Sequence, residues 1–231
     1  MFNLAQSDVG IQTIQLIMEN RNNPFFLTVL WDTQDIVLVD AGLPGQLELI
    51  RAAFQEAGIP FEKLTKILIT HQDSDHIGSL PDLVQAFGDQ VQVLAHEVAV
   101  PYLAGEIPLD KSKKLVRTPV KVDVALQDGD ILPFAGGIRA VFSPGHTPDH
   151  TSFYHIPSKT LIAGDALRAQ DGILQSYSPI YTADQVTALE SIAKFQTLDL
   201  SKIIAYHGGE CTDNLQDRLQ DILDAGPVEH E

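Results

Sequence analysis

The run Thr70-His71-Gln72-Asp73-Ser74-Asp75-His76-Ile77-Gly78 sets four ligand-type side chains, His71, Asp73, Asp75 and His76, within six residues. Imidazole and carboxylate together suit zinc, iron or manganese, and alternating positions let one pair project to each side. The run directly follows an apolar segment, 66–70, that reads as a buried strand. A strand end opening into a loop is a rigid launch point for side chains that must converge. A solvated acidic turn has the same composition, so the metal reading depends on what the rest of the chain supplies.

Three later strand ends supply it. Ser143-Pro144-Gly145-His146-Thr147 follows a strand predicted over 137–143, Gly164-Asp165 closes one over 160–163, and Tyr206-His207-Gly208-Gly209 closes one over 203–206. Each presents one ligand-type residue beside glycine, where backbone can approach an ion closely.

The elements behind these loops follow from periodicity. Apolar runs at 25–31 and 35–40, joined by Asp32-Thr33-Gln34, predict a hairpin. Segment 46–57 puts Leu47, Ile50, Phe54 and Ala57 on one helical face, and Gly58 and Pro60 stop it. A second helix starts at Ser79 as N-cap, with Pro81 in its first turn. Further strands are expected at 90–95, 120–126 and 151–155. A helix over 182–197 carries a Thr182/Gln185 capping box, and a last helix over 212–225 is capped by Thr212 and closed by Gly226-Pro227. Segments 101–118 and 167–180 lack regular pattern and should flank the ligand residues, where long loops form pockets and set specificity. The two stretches 37–42 and 161–166 echo each other, each a strand running to an aspartate, Asp40 and Asp165.

The chain has 231 residues, 44% of them apolar, which fits one α/β domain spanning 1–231 with a sizeable core. Its net charge of −16 disfavours nucleic acid and anionic membrane surfaces as partners and leaves a small molecule as the expected one. Cys211 is the only cysteine, so no disulfide forms within the chain, as in a reducing compartment. Residues 1–20 carry no Lys or Arg and no continuous apolar run, unlike a secretory signal. The expectation is a cytoplasmic protein, with a homodimer left open.

Taken together, the motifs resemble the metallo-β-lactamase superfamily of binuclear metallohydrolases, and the match extends from Asp40 to His207. The resemblance implies an αββα sandwich, two mixed sheets flanked by helices, with the site along one sheet edge. It implies two divalent metal ions, zinc first, iron or manganese as alternatives. His71 and His146 resemble ligands of the first ion; Asp75, His76 and His207 resemble those of the second; Asp165 resembles the bridging carboxylate, and Asp40 the early strand-end aspartate that supports them. Asp73 stands where the usual motif has histidine. With Asp73 as ligand, three carboxylates and a bridging hydroxide offset two divalent ions, whereas histidine would leave one positive charge. A less electrophilic first metal and weaker attraction for anionic substrates are therefore expected.

The activity implied is metal-assisted hydrolysis of a small ester, lactone, thioester or related bond, with Asp75 orienting the nucleophile or collecting its proton. A phosphodiesterase is a variant of it. A diiron-type oxidoreductase of the same fold is the competing class, because that branch also has a carboxylate at the position of Asp73. Arg168 replaces the tyrosine that the acyl-homoserine-lactonase branch carries three residues past the bridging aspartate, so that lactonase family fits poorly. Only 24 residues follow His207, too few for the helical substrate domain of glyoxalase II.

His150, four residues after His146, could support a ligand or simply be a buried hydrogen-bonded histidine. Cys211, His96 and His155 read as packing residues, and His230 as part of a solvated tail. Lys111, Lys113, Lys114, Arg117 and Lys121 gather five of the 15 basic residues into eleven positions. A solvated loop explains them more simply than guidance of an anionic group.

Overall fold

The computed structural model describes residues 8–18 and 24–227. His230 and the first seven residues therefore lie outside the described part. The first half contains β1 (Gly10–Leu16), β2 (Phe25–Trp31), β3 (Ile36–Val39), α1 (Leu47–Glu56), β4 (Leu64–Ile69), α2 (Ser74–Ile77), α3 (Leu80–Phe87), β5 (Gln92–His96), α4 (Val100–Leu103) and β6 (Val124–Leu126). The second contains β7 (Ile131–Leu132), β8 (Ile138–Phe142), β9 (Thr151–His155), β10 (Thr160–Gly164), β11 (Arg168–Gln170), β12 (Ile173–Gln175), α5 (Gln185–Phe195), β13 (Lys202–Ala205), β14 (Gly209–Cys211) and α6 (Leu215–Ala225).

Two six-stranded sheets result, ordered β1-β2-β3-β4-β5-β6 and β14-β13-β10-β9-β8-β7, with β11-β12 as a separate hairpin. Both sheets are mixed. In the first, β3 pairs antiparallel with β2 and parallel with β4; in the second, β10 pairs antiparallel with β9 and parallel with β13. The sequence echo thus falls on strands of matching environment, each delivering its aspartate to the same edge.

Strand periodicity explains the layering. Ile36 and Leu38 of β3, with Ile67 and Ile69 of β4, pack with Ile50 and Phe54 of α1 in the outer core. Val37, Val39 and Leu68 point the other way and meet Ala140, Phe153 and Ile162 of the second sheet. Leu161 and Ala163 of β10 turn outward again to Ile192 and Phe195 of α5 and Leu219 of α6. Strands buried on both faces read as unbroken apolar runs, so helices must cover each outer face. The αββα sandwich expected from the motifs is the fold observed. Among the described residues no helix is long and apolar enough to cross a membrane.

Several local expectations are corrected. The helix predicted over 182–197 begins at Gln185, because a 3-10 turn at Pro179–Tyr181 keeps Thr182 extended. Its cap is Asp184, which accepts from the Thr187 backbone N–H at 3.0 Å and from the Thr187 hydroxyl at 2.8 Å. The last helix starts at Leu215 after a left-handed Asn214, leaving Thr212 in the turn. Ser79 holds the N-cap position of α3 as expected, but its hydroxyl makes no cap bond: it donates to Leu43 O at 2.6 Å and accepts from Gln46 N at 2.7 Å, tying α3 to the loop before α1. The strand predicted at 120–126 is limited to Val124–Leu126. Segment 167–180 contains the β11-β12 hairpin, whose three-residue strands are too short to show alternation.

Two glycines are required by the site-bearing loops. Gly145 has φ +132°, and a Cβ there would stand 2.3 Å from Ala188 N at the start of α5. Gly208 has φ +112°, and a Cβ would overlap Ala169 O. Gly145→Ala is expected to destabilise by about 3 kcal/mol or more through strain and overlap with backbone, read as a lower denaturation midpoint in urea.

Candidate metal centre

The seven ligand-type residues singled out lie at one edge of the sandwich, in the loops that follow strands or on the short helix α2. His71 and Asp73 follow β4, Asp75 and His76 sit on α2, His146 follows β8, Asp165 follows β10 and His207 follows β13. The two sheets are joined there: Phe26 N donates to Tyr206 O at 3.0 Å, and Phe25 forms a bridge with His207. The parallel pairing of β3 with β4 and of β10 with β13 makes these loops leave on the same side.

The side chains form two adjoining groups. His71, Asp73, His146 and Asp165 converge in one; Asp75, His76 and His207 converge in the other. Asp73 Oδ2 lies 3.2 Å from His71 Nε2 and 3.0 Å from His146 Nε2. Asp165 faces both groups, with Oδ2 3.3 Å from His146 Nε2 and 3.4 Å from His207 Nε2, and Oδ1 3.3 Å from His76 Nε2. Asp75 Oδ2 stands 3.4 Å from His207 Nε2.

Surrounding groups orient the imidazoles. Asp40 is buried and accepts from Thr70 N at 2.9 Å and from the Thr70 hydroxyl. Its Oδ2 is 2.9 Å from His76 Nδ1, and Thr70 Oγ1 is 2.9 Å from His71 Nδ1. These contacts suit a proton on each Nδ1, leaving Nε2 of both rings toward the ligand groups. His71 Nε2, His76 Nε2 and Asp165 Oδ1 are buried without a well-formed hydrogen bond. Buried polar atoms left so, with nitrogen and carboxylate donors converging, fit divalent cations. His150, fully buried, accepts from Asp165 N at 3.1 Å through Nε2, and its Nδ1 is 3.1 Å from Ser143 O. It therefore supports the backbone of Asp165 rather than joining either group.

The electrostatics are those of a tightly packed cation-and-anion array. Burial raises Asp73 and Asp165, yet neighbouring histidines outweigh it and hold both well below the usual carboxylate range, His71 and His146 acting on Asp73, His76 and His207 on Asp165. Asp75 is likewise raised by burial but drawn down to about 2 by His76 and His207. Burial lowers His207, but Asp165 and Asp75 lift it to about 9. His150 is pushed well down by burial and by the charges of His71 and His146, matching its role as an acceptor.

These shifts set a pH dependence. A histidine raised from 6.5 to about 9 stabilises the metal-free fold below pH 6.5, and that contribution is lost as pH rises through 9. A carboxylate lowered from 3.8 to about 2 stabilises above pH 3.8 and is lost as pH falls through 2. Metal-free protein is thus expected to lose stability between pH 6.5 and 9 on account of His207. Metal affinity, which requires the neutral ring, is expected to rise over the same interval. Chelator competition at the two ends checks this, and a flat profile would contradict it.

Sequence reading gave no role to Thr70, Gln72, Asp149 or Tyr206, and set Lys111 aside with a solvated loop. Thr70 ties Asp40 to His71. Tyr206 donates from Oη to Asp75 O. Asp149, buried and with its carboxyl raised by burial, accepts from Gln72 Nε2 at 2.8 Å, and Gln72 Oε1 accepts from Asp110 N. Lys111 contacts Asp73 Oδ2 and lies 2.7 Å from His146 Nε2, so one basic residue of the 111–121 cluster belongs to the site. His96 stacks on Phe142 at 3.9 Å and His155 lies 2.7 Å from Ala135 O, both away from the site. Cys211 is buried in the core beside α6, its thiol pushed up to about 11 by burial.

A cavity of about 350 Å³ opens over the two groups, walled by Leu43, Leu109, Lys111, Ser112 and Tyr181. Segment 101–118 supplies Leu109, Lys111 and Ser112 to the cavity; segment 167–180 supplies none of its walls but touches the site where Ala169 N donates to His207 O at 2.9 Å.

Comparison with known proteins agrees with this geometry. The probable metallo-hydrolase YflN of Bacillus subtilis is 29% identical over 214 residues, 80% of each chain. A hydroxyacylglutathione hydrolase of Rhodopseudomonas palustris is 31% identical over 106 residues, 46% of this chain and 34% of its own length. A metallo-beta-lactamase family protein from Thermus thermophilus superposes with a TM-score of 0.72 at 22% identity, covering 94% of this chain and 79% of the other. The family model for the metallo-beta-lactamase superfamily matches residues 26–207. With its two sheets, its strand-end donors and that match, the chain belongs to the metallo-β-lactamase superfamily and falls with its metallo-hydrolases.

Proposed function

We propose that this protein is a binuclear metal-dependent hydrolase that cleaves a small ester, lactone or thioester. The observation that carries the reading is Asp165, one carboxylate facing two separate sets of donors, as a residue shared between two ions must. His71, Asp73 and His146 would hold the first ion, Asp75, His76 and His207 the second. Bound there, two ions would supply a lowered pKa for a nearby water and polarisation of the attacked oxygen.

The chain's own residues do the rest. Asp75, ionised at neutral pH, would orient the attacking water or collect its proton at a carboxylate oxygen. Tyr206 fixes the backbone from which Asp75 projects. Asp40 and Thr70 keep His71 and His76 facing the site, and Leu43, Leu109 and Tyr181 exclude water from one side of the cavity. The similarity to a hydroxyacylglutathione hydrolase favours thioesters within the substrate range. The acidic surface and lone cysteine support a small-molecule substrate and a reducing, cytoplasmic setting.

Elemental analysis of protein purified without chelator or added metal is the test. About two zinc or manganese ions per chain, with turnover on an ester, lactone and thioester panel, is the expected result. Predominant iron, with an absorption band that bleaches on reduction, would instead favour the diiron oxidoreductase that the carboxylate of Asp73 also suits. Protein that takes up no zinc overturns both. Asp73→Ala is expected to lower occupancy of the first site, and full metal content in that variant would remove Asp73 from the ligand set.

A further inference from the structure

We propose that Lys111 is the specificity residue of this hydrolase, binding a carboxylate carried by the substrate a few bonds from the carbonyl that is attacked. The proposal rests on the hydrolase reading above. Among the described residues, Lys111 is the only lysine or arginine that lines the cavity over the two donor groups. Its ammonium reaches Asp73 Oδ2 and lies 2.7 Å from His146 Nε2, and its side chain is still about one-third exposed toward the cavity.

The lysine is delivered by a built support rather than a free loop. Asp110 N donates to Gln72 Oε1, and Gln72 Nε2 donates to the buried Asp149 at 2.8 Å. Leu109 and Lys114 close the segment through a backbone hydrogen bond of 2.9 Å, and Lys113 pairs with Asp110 at 3.0 Å. Gln72 sits between the two ligand-type residues His71 and Asp73, so the loop and the donor groups are held by one side chain.

Charge argues in the same direction. With Asp73 in the ligand set, two divalent ions, three carboxylates and a hydroxide carry no net charge, and the chain as a whole carries −16. Among the described residues lining the cavity, nothing else offers a full positive charge to an anion except the donor histidines. An ion held by Asp73 and His146 repels the ammonium from their shared side, and the four-carbon stem lets it turn to the cavity. There it meets an anionic group while Leu43, Leu109 and Tyr181 accept the apolar body of the same molecule. Asp73 and Lys111 together then carry the charge that a neutral histidine alone would have brought.

The test uses full-length protein loaded with two equivalents of zinc. Hydrolysis is compared for the thioester S-acetyl-3-mercaptopropionate and its carboxamide isostere, and calorimetry compares binding of glutarate with butyrate. The wild type is expected to favour the carboxylate thioester about tenfold in kcat/KM, mostly through KM, and glutarate by a similar factor. Lys111→Met should bring both ratios close to one. Lys111→Arg should keep most of each, and Lys114→Met, which removes a nearby exposed charge, should leave both ratios as they were. Ratios near one in the wild type, or ratios that survive Lys111→Met, overturn the proposal. So does loss of both ratios in Lys114→Met, which would assign the preference to general loop charge. If neither thioester is cleaved, the hydrolase reading fails, and the glutarate-to-butyrate ratio in wild type and Lys111→Met still decides the role of Lys111.

Discussion

Asp165→Asn is expected to lower turnover by about a thousandfold and to leave fewer than two metal ions per chain. Asp165 is buried, and its two oxygens stand 3.3–3.4 Å from the Nε2 atoms of His76, His146 and His207. No other carboxylate reaches both donor groups among the described residues. Asparagine keeps the volume but removes the charge, so two cations held a few ångströms apart would lose the anion between them. A second readout needs no metal. Asp165 is the leading group lifting His207 against the effect of burial, so in metal-free Asp165→Asn the His207 pKa should fall from about 9 toward the ordinary range. Imidazole NMR titration measures it. A variant holding two ions and turning over within tenfold of wild type would remove Asp165 from the bridging position.

The second large effect concerns a residue that touches no substrate. Asp40→Ala should cost about 3 kcal/mol of stability and lower metal affinity by ten- to a hundredfold. Asp40 lies in the left-handed region at φ +65°, a conformation aspartate tolerates better than most residues. It accepts two hydrogen bonds from Thr70 and stands 2.9 Å from His76 Nδ1. Alanine leaves all of these groups buried without an acceptor. Asp40→Asn separates the two consequences: it fills the space and keeps one acceptor oxygen, so the fold should lose little. Its amide cannot replace the charge that holds His76, so metal affinity should still fall. Urea denaturation and chelator competition on both variants distinguish these outcomes, and equal affinity in Asp40→Asn and wild type would count against the orienting role.

Much of the fold was legible because its strands are buried on both faces and read as apolar runs, while α1 shows a clear apolar stripe. Errors gathered where the signal is short or shared. The β11-β12 strands have three residues each, and the helices expected to start at Thr182 and Thr212 begin at Gln185 and Leu215. Only the backbone path, extended through Thr182 and left-handed at Asn214, set those starts.

The seven ligand-type residues stood out in the sequence because five follow strands directly and Asp75 and His76 share the short run after β4, all of them local features. Which of them meet, and what stands behind them, depends on contacts between distant segments. Gln72 reaches Asp149 across 77 positions, Lys111 reaches Asp73 across 38, and Tyr206 reaches Asp75 across 131. Residue types and spacing by themselves pointed to donor-type side chains at strand ends and to an acidic, single-cysteine chain, while the sandwich and the grouping of the donors followed from the resemblance that the motifs carry. Only the tertiary structure decided which atoms meet: the Asp165 oxygens with His76, His146 and His207, Thr70 between Asp40 and His71, and one lysine of a basic loop at Asp73. Periodicity records which face of an element is buried, whereas the partner of a buried polar group is set by how the two sheets close on each other.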